Sequence, residues 1–367
     1  MKNRIFIVGS ILLLVLAVLA GIYFYQIKTR NAVEQLAEEK KMINILLAGS
    51  NEYRERTFSF YAIVSINPEN GNIGITFIPP DFKVKLDDEG KKIAKIKDMD
   101  LIYFEKVRKS LWRDLKMNVP FYFEIYSPDV IRIVDMLEGI ELFFLDQQLN
   151  MKNVSFGINY FDGRKVVQYI NSVEQNSIYL KYDRIQDLLL TLYYNREGKK
   201  KFFNVEFMTE ILRSLQTNLL PQELMSLGSY IFKGGNVFST IVPGGIEQGY
   251  YVVDDITYKI YEKEFLTPLV IGEEGDPVIK IKILNGTDIP GLARKVRNTL
   301  NRDGLNVVEF GTSPFRKMDH SLIISRKGDL DAVRKVSELT GINSIHYIID
   351  NSLLHNILII LGEDMAK

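Results

Sequence analysis

Between Val278 and Phe310 the chain runs strand, tight turn, helix, glycine stop and strand within 33 residues, an order that suits a small α/β unit. Val278, Ile279, Ile281, Ile283 and Leu284 form a β-rich run that Asn285-Gly286 breaks, two residue types that tolerate positive φ. Thr287 or Asp288 supplies a helix cap and Pro290 falls in the first turn, where its missing N–H is not needed. Leu292, Val296 and Leu300 repeat every fourth residue, so one apolar stripe faces a sheet, and Gly304 ends the helix before Leu305–Phe310 returns as a strand. Further on, His320–Ser325, Ile345–Ile349 and Ile357–Leu361 are predicted strands and Asp329–Leu339 a helix. The expected unit is a small α/β sandwich over residues 277–367 whose glycines serve turns.

The other end of the chain has a different character. Lys2 and Arg4 precede 21 uncharged, mainly apolar residues from Ile5 to Tyr25, enough to span a bilayer as a helix. Val18-Leu19-Ala20 offers a signal-type cleavage site, but Ile22 to Tyr25 prolong the apolar run past it, so an uncleaved anchor over residues 1–27 is expected. The positive residues ahead of the run place the N-terminus in the cytoplasm and the bulk of the chain outside it, with residues 28–41 as a polar stalk. The expected location is therefore an inner (cytoplasmic) membrane, crossed once.

Composition excludes several function classes. Lys plus Arg and Asp plus Glu number 46 each, so no global field recruits nucleic acid. Cysteine is absent, which excludes disulfides, thiolate metal sites, a cysteine nucleophile and an acylated lipoprotein cysteine. The three histidines, His320, His346 and His355, lie in the C-terminal unit without metal-ligand spacing, leaving Ser50, Ser59 and Ser65 no histidine in their own domain.

The large region 42–265 opens with a buried-strand pattern, Ile43 to Ala48, ending in Gly49-Ser50. Phe60–Ile66 and Ile73–Ile78 follow as a hairpin around Asn67-Pro68-Glu69-Asn70-Gly71. Phe121, Tyr122, Phe123, Tyr126, Phe143 and Phe144 concentrate aromatic area here, either as core or as the wall of a lipid tunnel. Pro268 to Pro277, with Gly272-Glu273-Glu274-Gly275, reads as an exposed hinge, and residues 266–276 as a linker.

The segments INILLAGSN, IVSINPENGNIGITFIPPDFKV, VPFYFEIYSPDVIRIVDMLEGIEL, FDGRKVVQYI and YDRIQDLLL resemble, in order, the catalytic domain of the LytR-CpsA-Psr family. The stretch IKILNGTDIPGLARKVRNTLNRDGLNVVEFG resembles the C-terminal domain often appended to it. The resemblance implies an α/β domain with a central mixed sheet around an apolar tunnel that holds a polyprenyl pyrophosphate. Active members move a glycopolymer from that carrier to peptidoglycan, with arginines on the pyrophosphate and carboxylates on a divalent metal, Mg2+.

This chain departs from that pattern at the charged positions. Thr57 and Ser59 stand where the family has arginine and aspartate before the second strand, with Arg56 one residue out of register. Ile78-Pro79-Pro80-Asp81 replaces Ile-Pro-Arg-Asp, so Asp81 remains as a candidate metal ligand while the arginine becomes a proline. Asn171 and Val173 occupy the places of paired arginines, and Lys95–Tyr103 replaces an asparagine-histidine segment. Arg184, in Asp183-Arg184-Ile185-Gln186, matches the last family arginine, which leaves Arg56, Arg184 and Gln186 as candidate ligand-binding residues. Each charge-assisted contact contributes roughly 1.5–3 kcal/mol, so losing three or four removes most pyrophosphate affinity unless Arg54, Arg56, Arg164 and Lys181 compensate.

The expectation is thus a membrane-anchored envelope protein with a divergent first domain and a binding or scaffolding role, without catalysis. Its expected partners are the membrane, polyprenyl-linked glycan or peptidoglycan, and envelope proteins, not nucleic acid. The alternative is a working phosphotransferase that uses Asp81, Arg184, displaced arginines and Mg2+.

Overall fold

The computed structural model describes residues 31–366 except 54–57, 59, 88, 101–102, 146–150, 152–153, 173–177, 272–278 and 351. Among the described residues no helix is long and apolar enough to cross a membrane; the expected anchor, residues 1–27, lies outside them.

After helix α1 (Ala32–Glu38) the chain builds strands β1 (Ile43–Ser50), β2 (Phe60–Ile66) and β3 (Ile73–Ile78), which pair antiparallel in sequence. The turn between β2 and β3 closes where Gly71 takes φ +77°, as the Asn67–Gly71 run predicts. A short hairpin, β4 (Lys83–Lys85) with β5 (Ile93–Lys95), and helix α2 (Phe104–Leu115) cover one face. Strand β6 (Phe121–Tyr126) returns parallel to β1. Helix α3 (Ser127–Met136), the hairpin β7 (Ile140–Phe144) and β8 (Gly157–Phe161), and helices α4 (Gly163–Asn171) and α5 (Ile178–Tyr194) follow. Helices α6 (Val205–Ser214) and α7 (Pro221–Lys233) flank the two-residue strand β9 (Gln216–Thr217). Strand β10 (Val237–Ile241) then closes a mixed six-stranded sheet of order β10-β3-β2-β1-β6-β9.

Alternation along the strands divides the apolar residues between two cores. Ile45, Ala62, Ile75 and Phe77 face α5 and α7, whereas Leu46, Ala48, Tyr61, Ile63 and Ile78 face α2 and the β4–β5 excursion. A small hairpin, β11 (Gly245–Glu247) with β12 (Tyr250–Val252), and helix α8 (Asp255–Tyr261) lead to a short helix, Thr267–Ile271. Of the expected linker 266–276, residues 272–276 lie outside the described residues, and Thr267–Ile271 is thus helical. Leu269 is buried and its carbonyl accepts from the side chains of Asn67 and Asn72, so this stretch packs on the β2–β3 turn.

The C-terminal body has strands β13 (Lys280–Asn285), β14 (Asn306–Thr312), β15 (Leu322–Ser325), β16 (Ile345–Tyr347) and β17 (Ile357–Leu361) in the order β14-β13-β17-β15-β16. Helices α9 (Leu292–Arg302) and α10 (Leu330–Thr340) bury their stripes on one face of this sheet. Its other face, with Leu322, Ile324, Leu358 and Ile360, packs on Phe143 and Leu145 of the first body. The sheet is therefore covered on one side by its own helices and on the other by the β7–β8 hairpin.

Two local expectations need correction. Helix α9 begins after Gly291 at φ +80°, not around Thr287, Asp288 or Pro290. Asn285 and Thr287 accept from the backbone N–H groups of Thr287 and Ile289 and hold that stretch as a loop. Gly286 does not adopt a positive φ; a Cβ there would meet Met318 Cγ at 2.6 Å and the Leu361 carbonyl at 2.8 Å, so close approach is what demands glycine.

Candidate functional site

Three helices and the sheet enclose an aliphatic cavity of about 210 Å³. Leu47, Phe60, Ala62 and Ile125 form its floor on the sheet, and Val130, Ile133 and Val134 of α3 one wall. Val166, Val167 and Ile170 of α4 and Ile185, Leu188, Leu189 and Leu192 of α5 complete it. Local sequence sets each wall. Pro128 in the first turn of α3 and Asp129, which accepts from the Tyr126 N–H at 3.0 Å, start that helix. Asp162 caps α4 through the Lys165 N–H at 2.8 Å, and the Gly163 N–H donates to Asp135 at 2.8 Å, which fixes α4 against the end of α3. At Gly49 a Cβ would overlap the Phe60 ring, so the glycine makes room for that floor.

Polar groups collect at one part of the lining: Ser50, Asn51, Ser127, Asn171 and Lys181. Asn51 joins two walls by accepting from Asn171 Nδ2 at 3.3 Å and Ser127 Oγ at 3.5 Å. Among the described residues Lys181 is the one charged side chain in the lining. Of the two readings of the aromatic residues, core packing is the one the structure gives. Phe121 and Phe123 sit in the core between sheet and helices, Tyr126 in the core on the α2 side, Phe144 beside Phe161, and Phe143 against the C-terminal body. The cavity-lining side chains of α5 recur at 181, 185, 188, 189 and 192, a helical stripe in plain view that sequence reasoning passed over in favour of aromatics.

Of the candidate charged residues, Arg184 and Asp81 do not reach the cavity. Arg184 lays its guanidinium 4.5 Å from the centre of the Tyr169 ring, outside the cavity lining. Asp81 lies on the excursion over the α2 face, within 3.0 Å of both Lys95 and Lys97. Burial pushes its pKa up, but the hydrogen bonds and charges of Lys97 and Lys95 prevail and hold the carboxyl below its usual range. A carboxylate already claimed by two ammonium groups is a poor Mg2+ ligand, and among the described residues no three His, Asp or Glu side chains gather as a metal site. Arg54 and Arg56 lie outside the described residues. Gln186 is buried on the opposite side of α5, toward Gly328 of the C-terminal body, and Arg164 is exposed. Of the compensating set, Lys181 alone among the described residues reaches the cavity.

The residue that sequence reasoning missed is Asp187. It accepts from the Tyr169 hydroxyl at 2.6 Å and from the Ile349 N–H, joining α4, α5 and the C-terminal body. Burial raises its pKa to about 7 against the lowering effects of Ile349, Tyr169 and Arg326. The backbone donor is 162 positions away, so no local pattern announces it.

A cavity-bearing α/β body joined to a small α/β body is the class that fold and site define. Residues 278–364 match the family model described as LytR cell envelope-related transcriptional attenuator. Among solved structures, protein gbs0355 from Streptococcus agalactiae is similar with a TM-score of 0.50 and 16% identity, over 66% of this chain and 92% of that one. The B. subtilis protein TagT, solved bound to LI-WTA, gives a TM-score of 0.50 at 18% identity over 64% and 92%. A transcriptional regulator from Enterococcus faecalis, EF0465, gives 0.50 at 15% over 65% and 91%. No curated protein sequence matches the chain. The family match is thus confined to the C-terminal body, and about two thirds of the chain shares the fold of these solved structures.

Proposed function

We propose that this chain is a membrane-anchored, envelope-facing protein whose first body holds the isoprenoid tail of a polyprenyl-linked glycan without transferring it. The observation that carries the reading is the aliphatic cavity with a polar, lysine-bearing part in its lining. Hydrocarbon entering it gains about 25 cal/mol per Å² removed from water, while the polar groups suit a phosphate or sugar end. That TagT, with a similar fold, is seen bound to LI-WTA agrees with such a ligand. The non-catalytic half of the reading rests on Pro80 in place of an arginine, on Asp81 held between two lysines and on Arg184 occupied by Tyr169.

The test is binding of a polyprenyl pyrophosphate to the purified chain with and without Mg2+, beside Ile170→Trp and Arg184→Ala. Ile170→Trp is expected to weaken binding about tenfold by filling the cavity, with Mg2+ and Arg184→Ala changing it little. Binding that requires Mg2+ and disappears in Arg184→Ala would instead favour the phosphotransferase. Binding indifferent to Ile170→Trp removes the cavity from the reading.

A further inference from the structure

The main sheet ends at β10, whose outer edge pairs with no strand among the described residues. The bonds from the Ile73 N–H to the Asn236 carbonyl and from the Val242 N–H to the Phe77 carbonyl fix the parity of the pairing with β3. Even-numbered residues turn their N–H and C=O groups toward β3, so those of Val237, Ser239 and Ile241 point outward. Among the described residues the one contact to these groups is a long one, from Thr240 Oγ1 to the Ile241 carbonyl at 3.4 Å. The strand reads VFSTI, with no charge, proline or bulge to discourage pairing. Native sheets blunt exposed edges with such devices, and an unprotected edge accepts another strand.

The surroundings are shaped for one. Two hollows of about 590 and 480 Å³ flank the strand, and both are lined by Tyr179, Ser239, Thr240 and Ile241. Tyr179 is 56% exposed, Leu180 47% and Ile260 51%, apolar area at the rims of a groove. Among the described residues the charged lining is acidic: Asp183 and Asp350 on one side and Glu264 on the other. Arg326, 3.3 Å from Asp350, and Lys327, which donates to the Asp350 carbonyl, offset the charge of Asp350 and Asp183 in part, so Glu264 is the carboxylate they leave untouched. A second copy of the chain would bring the same carboxylates against these. The chain's own stretch 272–278, with Glu273, Glu274 and Asp276, also has the wrong sign.

We propose that β10 receives an extended polypeptide segment bearing lysine or arginine as an added strand. Main-chain bonds to Ser239 and Ile241 supply the attachment, and alternate side chains of the guest enter the two hollows near Asp183 and Glu264. This site is separate from the aliphatic cavity and does not depend on what that cavity holds.

The probe is a labelled peptide of alternating lysine and valine, seven residues long by design to cover the five-residue strand, titrated into the purified full chain by fluorescence anisotropy. Saturable binding is expected, with a glutamate-valine counterpart weaker by about tenfold. Ser239→Pro removes one outward N–H and no bond to β3, and is expected to weaken binding about tenfold; Glu264→Lys is expected to weaken it about threefold. Should Ser239→Pro fail to fold by circular dichroism, a lysine-valine peptide N-methylated on its pairing edge takes its place and must lose binding. Absence of saturable binding, equal binding of the glutamate peptide, or unchanged binding after N-methylation overturns the proposal. So does self-association through this edge, detected by sedimentation and abolished by Ser239→Pro.

Discussion

At the scale of single residues, Asp187 and His346 pull stability in opposite directions with pH. Burial raises the Asp187 pKa to about 7, so between its unfolded range near 4 and that value the native state binds the extra proton. Its contribution to stability is full below the unfolded pKa and is lost as pH rises, on the order of 4 kcal/mol by neutrality. Burial lowers His346 to about 4, so its cost appears as pH falls through 6.5, where the unfolded chain takes the proton first. Melting temperatures of wild type and Asp187→Asn should therefore converge differently across the range: relative to the variant, wild type loses stability steadily from pH 5 to 7.5. A parallel pair of profiles would mean that Asp187 titrates normally. The sequence pointed to Arg184, three positions earlier, because that residue carries the family resemblance. Asp187 was illegible since its burial and its donor on Ile349 are products of two bodies meeting.

At the scale of elements, close packing of α3 on α4 depends on one missing side chain. A Cβ on Gly163 would lie 2.3 Å from the Ile131 carbonyl oxygen and 2.4 Å from its Cα, backbone atoms that cannot rotate away. Gly163→Ala is expected to destabilise by about 1–3 kcal/mol through forced separation of the helices. Gly198, in the short helix Arg196–Lys199, has nothing within 4 Å of its Cβ position, so Gly198→Ala should stabilise by up to about 1 kcal/mol. Urea midpoints for the two variants decide this; a loss shared by both would reduce the argument to loop or helix propensity. Strand periodicity, the Asn67–Gly71 turn and the α9 stripe were legible because each is a local pattern over a few residues. The start of α9 was not, because the side chains of Asn285 and Thr287 capture backbone donors that a helix would otherwise order. The cavity walls lay between these cases: the α5 stripe was present in sequence, but which of its faces met a void and which met a second body required the fold.

At the scale of the whole molecule, α5 serves two bodies at once, with Ile185, Leu188 and Leu192 on the cavity and Asp187, Leu190 and Tyr194 turned to the C-terminal side. Three ring stacks close the boundary: Tyr194 on Tyr347 at 3.9 Å, Phe143 on His346 at 4.0 Å and Phe156 on Phe315 at 4.1 Å. Each such pair contributes about 0.5–1.5 kcal/mol beyond the area it buries. The C-terminal sheet also needs the first body, because separation would expose Leu322, Ile324, Leu358 and Ile360 together. A protease that cuts within residues 272–278 should accordingly leave two fragments that elute as one species in gel filtration. The double variant Tyr194→Ala, Phe315→Ala should release the C-terminal fragment, or send it into aggregates, after the same cut. Free release from the wild type would mean that the boundary is a loose contact; retention would make docking of the C-terminal body part of what holds α5 in place. Since α5 is also a cavity wall, the variant that loosens the boundary should then change lipid binding without touching a lining residue, and a cavity that binds equally well with the boundary broken would show the two faces of the helix to be independent.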